Sequence, residues 1–267
     1  MSKVNEDIEA EGDRNFVTAI ARGFDVLRCF RLDETTLTNQ EIASRTKLPK
    51  PTVSRLTYTL CKLGYLVQSD ATGAYRLGAG VLALGFSALA GMEIGTLAKQ
   101  EMRKLCSGPN PYVTAALAER HRLQVIYMAV RRSNQAVSLT MNVGARLPLF
   151  HSAIGRAVLI GMSEDEREAM LQLAIEEHPE KEALVRQSLQ EAQEDYARYG
   201  FTTSFGKWRK EVNGIAVPIE ALDGDRIYGL NVGGPSFLVS PKELIAEYGS
   251  RLRESADMIG RRGTGAI

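Results

Sequence analysis

The chain has 267 residues, 44% hydrophobic and 24% charged, and at ~100–200 residues per domain this length predicts two domains, each able to bury a core. A net charge of +1, from 33 Lys and Arg against 32 Asp and Glu, argues at first sight against nucleic acid, which a basic excess usually accompanies. The total conceals three segments: residues 1–13 carry one Lys and five acids, residues 14–80 ten Lys and Arg against five acids, and residues 81–267 22 of each. Cys29, Cys61 and Cys106 are too few and too scattered for a disulfide scaffold or a zinc cluster. No apolar run approaches the ~18 residues of a membrane span. The start lacks the basic and apolar regions of a signal peptide, so a soluble, cytoplasmic protein is expected.

Residues 1–14 are polar and acidic and read as a disordered tail. From Asn15 the pattern turns helical: Phe16, Ile20, Phe24 and Leu27 fall on one face of a first helix, which a loop at Asp33–Leu37 ends. Thr38-x-x-Glu41 is a capping box that opens a short second helix. Leu48-Pro49-Lys50-Pro51 forces a turn, and Pro51 suits the first position of a third helix. On that helix Val53, Leu56, Leu60 and Leu63 form an apolar stripe. Pro51, Arg55, Tyr58 and Lys62 face the other way, flanked by Thr52, Ser54 and Thr59. After Gly64, residues 65–68 and 74–77 read as a two-stranded hairpin.

Three helices with a tight second turn, then a hairpin, describe a winged helix-turn-helix spanning residues 15–78. Arg55, with Thr52 and Ser54 beside it, suits base edges in a major groove, and Lys50, Tyr58, Lys62 and Arg76 suit phosphates. Thr38, Asn39, Pro51 and Thr59 complete the candidate DNA-binding set. The competing reading is a small helical domain with a solvated face, and the basic excess favours DNA.

Residues 77–92 are rich in Leu, Ala and Gly, and Val81, Leu82, Leu84, Phe86 and Leu89 occupy more than one helical face. Such a helix needs partners on several sides. Burial within its own chain is one solution. Packing against a second subunit is the other, because the symmetry of an operator mirrors that of its protein. With a second helix at about Gly95–Cys106, residues 79–106 form a linker and dimerisation segment.

Residues 107–267 read as an α+β domain around an antiparallel sheet. Tyr112–Glu119 and Leu123–Val130 form a hairpin, a strand at about Val137–Met141 leads to the Gly144–Pro148 loop, and a helix starts near Ser152. Further helices are expected from Ser163 and from about Glu180 to Tyr199, strands at Ile215–Ile219 and Ile227–Val232, and a last helix capped by Ser240. His121, His151 and His178 have no metal-site spacing. There is no Gly-x-Ser-x-Gly elbow and no phosphate-binding loop, and no cofactor is expected. The helix start at Ser152-Ala153-Ile154-Gly155 offers free backbone amides to an anion.

The stretch from Leu48-Pro49-Lys50-Pro51-Thr52-Val53-Ser54-Arg55-Leu56 through Tyr75-Arg76-Leu77-Gly78 resembles the DNA-binding half of IclR-type bacterial transcription regulators. Gly144-Ala145-Arg146-Leu147-Pro148 through Arg156-Ala157, Asn213-Gly214-Ile215-Ala216-Val217-Pro218-Ile219 and Leu230-Asn231-Val232-Gly233-Gly234-Pro235 resemble that family's effector domain. The resemblance runs from about Asn15 to Arg262. It implies a GAF-like C-terminal fold, a dimer or tetramer on a double-stranded, palindromic operator, and a small-molecule effector. Matching the family's motifs to this chain puts Ala153, Ile154, Ser204, Val212, Gly214, Asn231 and Gly233 around that effector, with Phe150 and Trp208 beside them. Glycines where small-acid members carry an acid and serines imply a larger or more apolar ligand: an organic or aromatic acid or a related catabolite. The alternative is a small-molecule enzyme with an N-terminal helical oligomerisation domain.

Overall fold

Val26, Phe30, Leu37, Ile42, Leu48, Val53, Leu60 and Leu66 bury against one another and gather the N-terminal helices around a single small core. The structure, a computed structural model, describes residues 14–31, 34–90, 93–135, 137–139, 141–221 and 226–262. The expected disordered tail lies, but for Arg14, outside them. The chain divides into two units, residues 1–91 and 92–267.

In the first unit, α1 (Thr18–Arg28), α2 (Asn39–Thr46) and α3 (Lys50–Lys62) are followed by strands β2 (Leu66–Gln68) and β3 (Tyr75–Leu77) and by α4 (Ala79–Ala90). The wing is larger than the expected hairpin. Residues 36 and 37, expected in a loop, form a strand β1 (Thr36–Leu37) beside β3, giving the order β1-β3-β2. Leu37 is fully buried there, opposite Tyr75; a two-residue strand is too short to show an alternating pattern. Thr57 takes a core position on α3, its hydroxyl donating to the Val53 carbonyl at 3.0 Å, whereas Leu63 of the expected apolar stripe is exposed. On α1 the predicted apolar face is also open to solvent, with Ile20 58% and Phe24 53% exposed. Helix α4 buries none of its residues.

In the second unit a six-stranded antiparallel sheet runs in the order β6-β5-β4-β9-β8-β7. Its strands are β4 (Thr114–His121), β5 (Gln124–Arg131), β6 (Arg146–Pro148), β7 (Thr202–Phe205), β8 (Val212–Glu220) and β9 (Ile227–Pro235). Alternation along the strands loads both faces. One carries Leu117, Ile215, Val217, Leu230 and Val232 and packs against α5 (Glu93–Cys106) and α9 (Gly249–Arg262), through Met102, Leu105, Leu252 and Ile259. The other carries Ala116, Ala118, Val125, Tyr127 and Ala216 and packs against α6 (Ala153–Gly161), α7 (Glu164–Glu177) and α8 (Glu182–Tyr199). The strand expected at about Val137–Met141 is not there: 137–139 and 141 lie outside regular structure, and the ladder with β5 forms instead at Arg146–Pro148. Leu147 is the buried residue of that ladder, whereas Val137 is exposed.

Candidate DNA interface and effector pocket

The turn between α2 and α3 is fixed at both ends. Thr38 Oγ1 accepts the Glu41 amide at 3.3 Å, and Glu41 Oε2 accepts the Thr38 amide at 2.7 Å, which closes the capping box and fixes where α2 starts. The Thr38 hydroxyl also donates to Glu41 Oε2, at 2.7 Å, and the Thr38 amide and hydroxyl together hold the Glu41 carboxyl below its ordinary range. Helix α2 ends at Lys47, in the left-handed region at φ 56°. Leu48 then plugs the core, and Pro49 and Pro51 set the first turn of α3. Across the turn Asn39 Nδ2 donates to Ser54 Oγ at 3.0 Å, and Lys50 Nζ reaches Gln40 Oε1 at 3.4 Å.

This packing leaves Lys50, Pro51, Ser54, Arg55, Tyr58, Thr59 and Lys62 exposed on α3, with Thr52 half-buried beside them. Lys62 Nζ lies 5.5 Å from the centre of the Tyr58 ring, a cation over an aromatic face. Arg76 is exposed on the wing strand β3. Arg45, by contrast, is a structural cation: it bonds Glu34 at 2.5 Å and the Cys29 carbonyl at 3.0 Å. The exposed face is therefore one of cations and hydroxyls with a single bulky ring, suited to phosphates and groove edges.

The second candidate site lies on the α6 face of the large sheet. Ser152 caps α6, accepting the Gly155 amide at 3.1 Å and donating to the Pro148 carbonyl at 2.7 Å. The amides of Ala153 and Ile154 then have no acceptor among the described residues, so they project the positive end of the helix outward. Three hydroxyls hold the chain that leads into the helix. Ser188 Oγ donates to the Phe150 carbonyl, Ser204 Oγ to that of His151 at 2.8 Å, and Thr202 Oγ1 to that of Ala153 at 2.8 Å. Beneath them the fully buried Arg156 donates to the carbonyls of Ser188 and Thr203 and to Glu191 Oε2. Burial, with the nearby charges of Arg156 and Lys181, lowers the His151 pKa.

Gly155 admits no side chain, since a Cβ there would lie 2.4 Å from the Leu149 carbonyl oxygen; the helix start rests directly on backbone. In the middle of β9 the α6-facing positions are Gly229, Asn231 and Gly233, with Ile227 beyond them, and Asn231 pairs with Ala116 on one side and Ala216 on the other. Val212 and Gly214 share this face on β8, and Phe150 is buried in the same cluster. Trp208 packs half-buried against that cluster with Arg209 over its ring at 4.6 Å. Of the sequence-predicted residues, Ser204 contributes a hydroxyl already committed to the backbone, and Ala153 and Ile154 contribute amides rather than side chains. Arg156, Ser188, Glu191 and Tyr127 were not singled out. Only Arg156, a charge inside an apolar helix pattern, left a sign of itself in the sequence. Among the described residues no group of three or more His, Cys, Asp or Glu side chains could hold a metal ion.

Comparison with known proteins bears on both sites. Residues 19–70 match the IclR helix-turn-helix domain, and residues 86–261 match the family described as bacterial transcriptional regulator IclR C-terminal. The HTH-type transcriptional regulator TsaQ1/TsaQ2 of Comamonas testosteroni is 29% identical over 246 residues, 91% of this chain and 87% of the relative. An IclR family transcriptional regulator from Brucella abortus superposes with a TM-score of 0.83 at 42% identity, covering 94% of each chain. An IclR homologue from Microbacterium hydrocarbonoxydans, crystallised in complex with 4-hydroxybenzoate, has the same fold at 24% identity and a TM-score of 0.68, covering 93% of this chain and all of the other. With a winged helix-turn-helix ahead of an effector-type domain, and both halves matched, this chain belongs to the IclR family of DNA-binding bacterial transcriptional regulators.

Proposed function

We propose that this regulator reads a near-palindromic operator as a two-fold dimer and releases or engages it when a small organic acid binds beside α6. Arg55, with Thr52 and Ser54, reads base edges, and Lys50, Tyr58, Lys62 and Arg76 clamp phosphates. The dimer is supported by apolar surface left exposed on the first unit. Leu82, Leu84 and Phe86 of α4 are 56–60% exposed. A groove of about 830 Å³ runs between α1, α3 and α4, lined by Ile20, Phe24, Leu27, Leu56 and Leu63. A second copy of the same surface is the occupant whose symmetry matches the operator.

The observation that carries the ligand reading is the pair of acceptor-free amides at Ala153 and Ile154, held from behind by Ser188, Ser204 and Arg156. A carboxylate would satisfy both amides at once. Ala116, Ala216, Gly214 and Gly233 leave the adjoining sheet surface low, which favours an acid larger than a two- or three-carbon one. The 4-hydroxybenzoate held by a neighbour of this fold has that character. As a member of a regulator family, the chain uses the pocket to sense its ligand rather than to turn it over. The test is operator binding by fluorescence anisotropy in the presence of aliphatic and aromatic monocarboxylates, with Trp208 emission followed in parallel. An acid that shifts operator affinity and Trp208 emission with the same midpoint is expected. Chemical conversion of the acid, or operator affinity indifferent to every acid that binds, would overturn the reading.

A further inference from the structure

Asn231 is the only side chain beyond a hydrogen that β9 presents to the α6 face between positions 229 and 233. The glycines on either side are excluded from carrying one: a Cβ on Gly229 would lie 2.6 Å from Ile154 Cγ1, and on Gly233 2.5 Å from the Asn213 carbonyl. Across the ladder stand Ala116 and Ala216, both buried. The amide therefore rises alone from a floor of Gly and Ala next to the first turn of α6. Its Nδ2 donates to the Tyr127 hydroxyl at 3.3 Å, while its Oδ1 is buried with no hydrogen-bond partner among the described residues.

A buried acceptor left unfilled is costly, and native proteins rarely keep one without a use. Tyr127 is its complement. Buried within the cluster, its hydroxyl accepts from Asn231 and donates its own proton to no acceptor among the described residues. Burial pushes its pKa up to about 12, so the phenol keeps that proton at neutral pH. The dyad thus offers one open acceptor and one open donor side by side. An alcohol or phenol oxygen matches this pattern, giving its proton to Asn231 Oδ1 and accepting the proton of Tyr127. A carboxylate cannot satisfy Oδ1, and an ether can only accept.

Resting on the reading that the α6 amides hold a carboxylate, we infer that the effector is a hydroxylated organic acid whose hydroxyl group is recognised by Asn231 and Tyr127. Selection then arises from the ligand lacking the hydroxyl, which leaves Oδ1 buried and unfilled. A loss of about tenfold to a hundredfold in affinity is the scale for one such unmet group.

The full-length protein is titrated calorimetrically with benzoate, the three hydroxybenzoate isomers and the corresponding methoxybenzoates, then repeated with Asn231→Leu and Tyr127→Phe. Circular dichroism melts confirm that each variant folds. The expected result is that at least one hydroxybenzoate binds tenfold or more tighter than both benzoate and its methoxy counterpart. That ratio falls toward one in both variants, while benzoate affinity holds. Equal binding of benzoate and all hydroxybenzoates by the wild type overturns the hydroxyl assignment and leaves the carboxylate reading standing, as does a preference that survives in Asn231→Leu. Binding by none of these acids overturns the carboxylate reading, and the assignment with it.

Discussion

Arg156 and Glu191 meet beneath the start of α6: the fully buried guanidinium donates to the glutamate Oε2 at 2.7 Å, and the same oxygen accepts Lys207 from the loop that bears Trp208. One carboxylate thus ties α6, α8 and the β7–β8 loop together. Arg156→Met removes the cation together with its bonds to the Ser188 and Thr203 carbonyls. Glu191 is partly exposed and keeps Lys207, so the cost is that of the lost charged hydrogen bonds and packing, about 2–3 kcal/mol. Urea unfolding of the variant should show a loss of that order, with the transition of the second unit moved most.

The same carboxylate sets an acid limit. Burial pushes the Glu191 pKa up, but Lys207 and Arg156 outweigh burial and leave it below its ordinary range. A depressed folded-state pKa stabilises above the unfolded value and loses that contribution as pH falls through the folded one. Stability measured from neutral pH down through the carboxylate range should therefore decline less steeply in Glu191→Gln than in the wild type. Parallel curves would show that the bridge contributes nothing to acid sensitivity.

On DNA the exposed cations should separate into two kinds. Arg55→Ala should lose discrimination between operator and altered sites, by about 1–3 kcal/mol at the base it reads. Lys62→Ala should weaken binding to all sequences alike and reduce the slope of log affinity against log salt by about one. Anisotropy titrations over a salt series decide this, and an Arg55→Ala protein that binds its operator like wild type removes α3 from the groove.

Gly155→Ala tests how tightly the helix start is seated. The added methyl would meet the Leu149 carbonyl oxygen at 2.4 Å and the Leu149 Cα at 2.7 Å, both backbone atoms without room to shift. A cost of about 1–3 kcal/mol is expected from overpacking of this kind. The response of operator affinity to acids should be lost, while salt-dependent DNA binding through the first unit persists.

Phe24→Glu places a charge on the open apolar face of α1. The side chain is 53% exposed in the single chain, so the monomer should melt near the wild-type temperature. Sedimentation should nevertheless show a weakened dimer, and operator affinity should fall with it. Unchanged association would move the subunit contact elsewhere.

Much of the first unit could be read from its residues because its signals are local. Thr38 and Glu41 form the capping box their spacing predicts, and Ser240 caps its helix as expected. The strand β1 was missed because two residues have no period, and its existence depends on Tyr75 and Arg76, some forty residues away in sequence. Leu63 and Phe24 lie on the apolar faces their spacing predicts yet stay exposed, because periodicity records that a face is apolar, not what covers it. At the candidate effector site the amides of Ala153 and Ile154 follow from a helix start at Ser152. Tyr127 and Asn231 are far apart in sequence, and only the order β5-β4-β9 brings them together. No spacing rule connects residues on separate strands.

Helix α4 keeps none of its twelve residues buried, and under the proposed dimer this would make the amount of protein in the cell a variable of the switch. If a second copy covers this surface, as proposed, the ordering of the connector is tied to mass action. Each change in copy number would then move the fraction of paired, operator-competent protein even when the acid level is constant. A gene that this regulator controls would answer to two inputs, the ligand and the regulator's own synthesis and turnover.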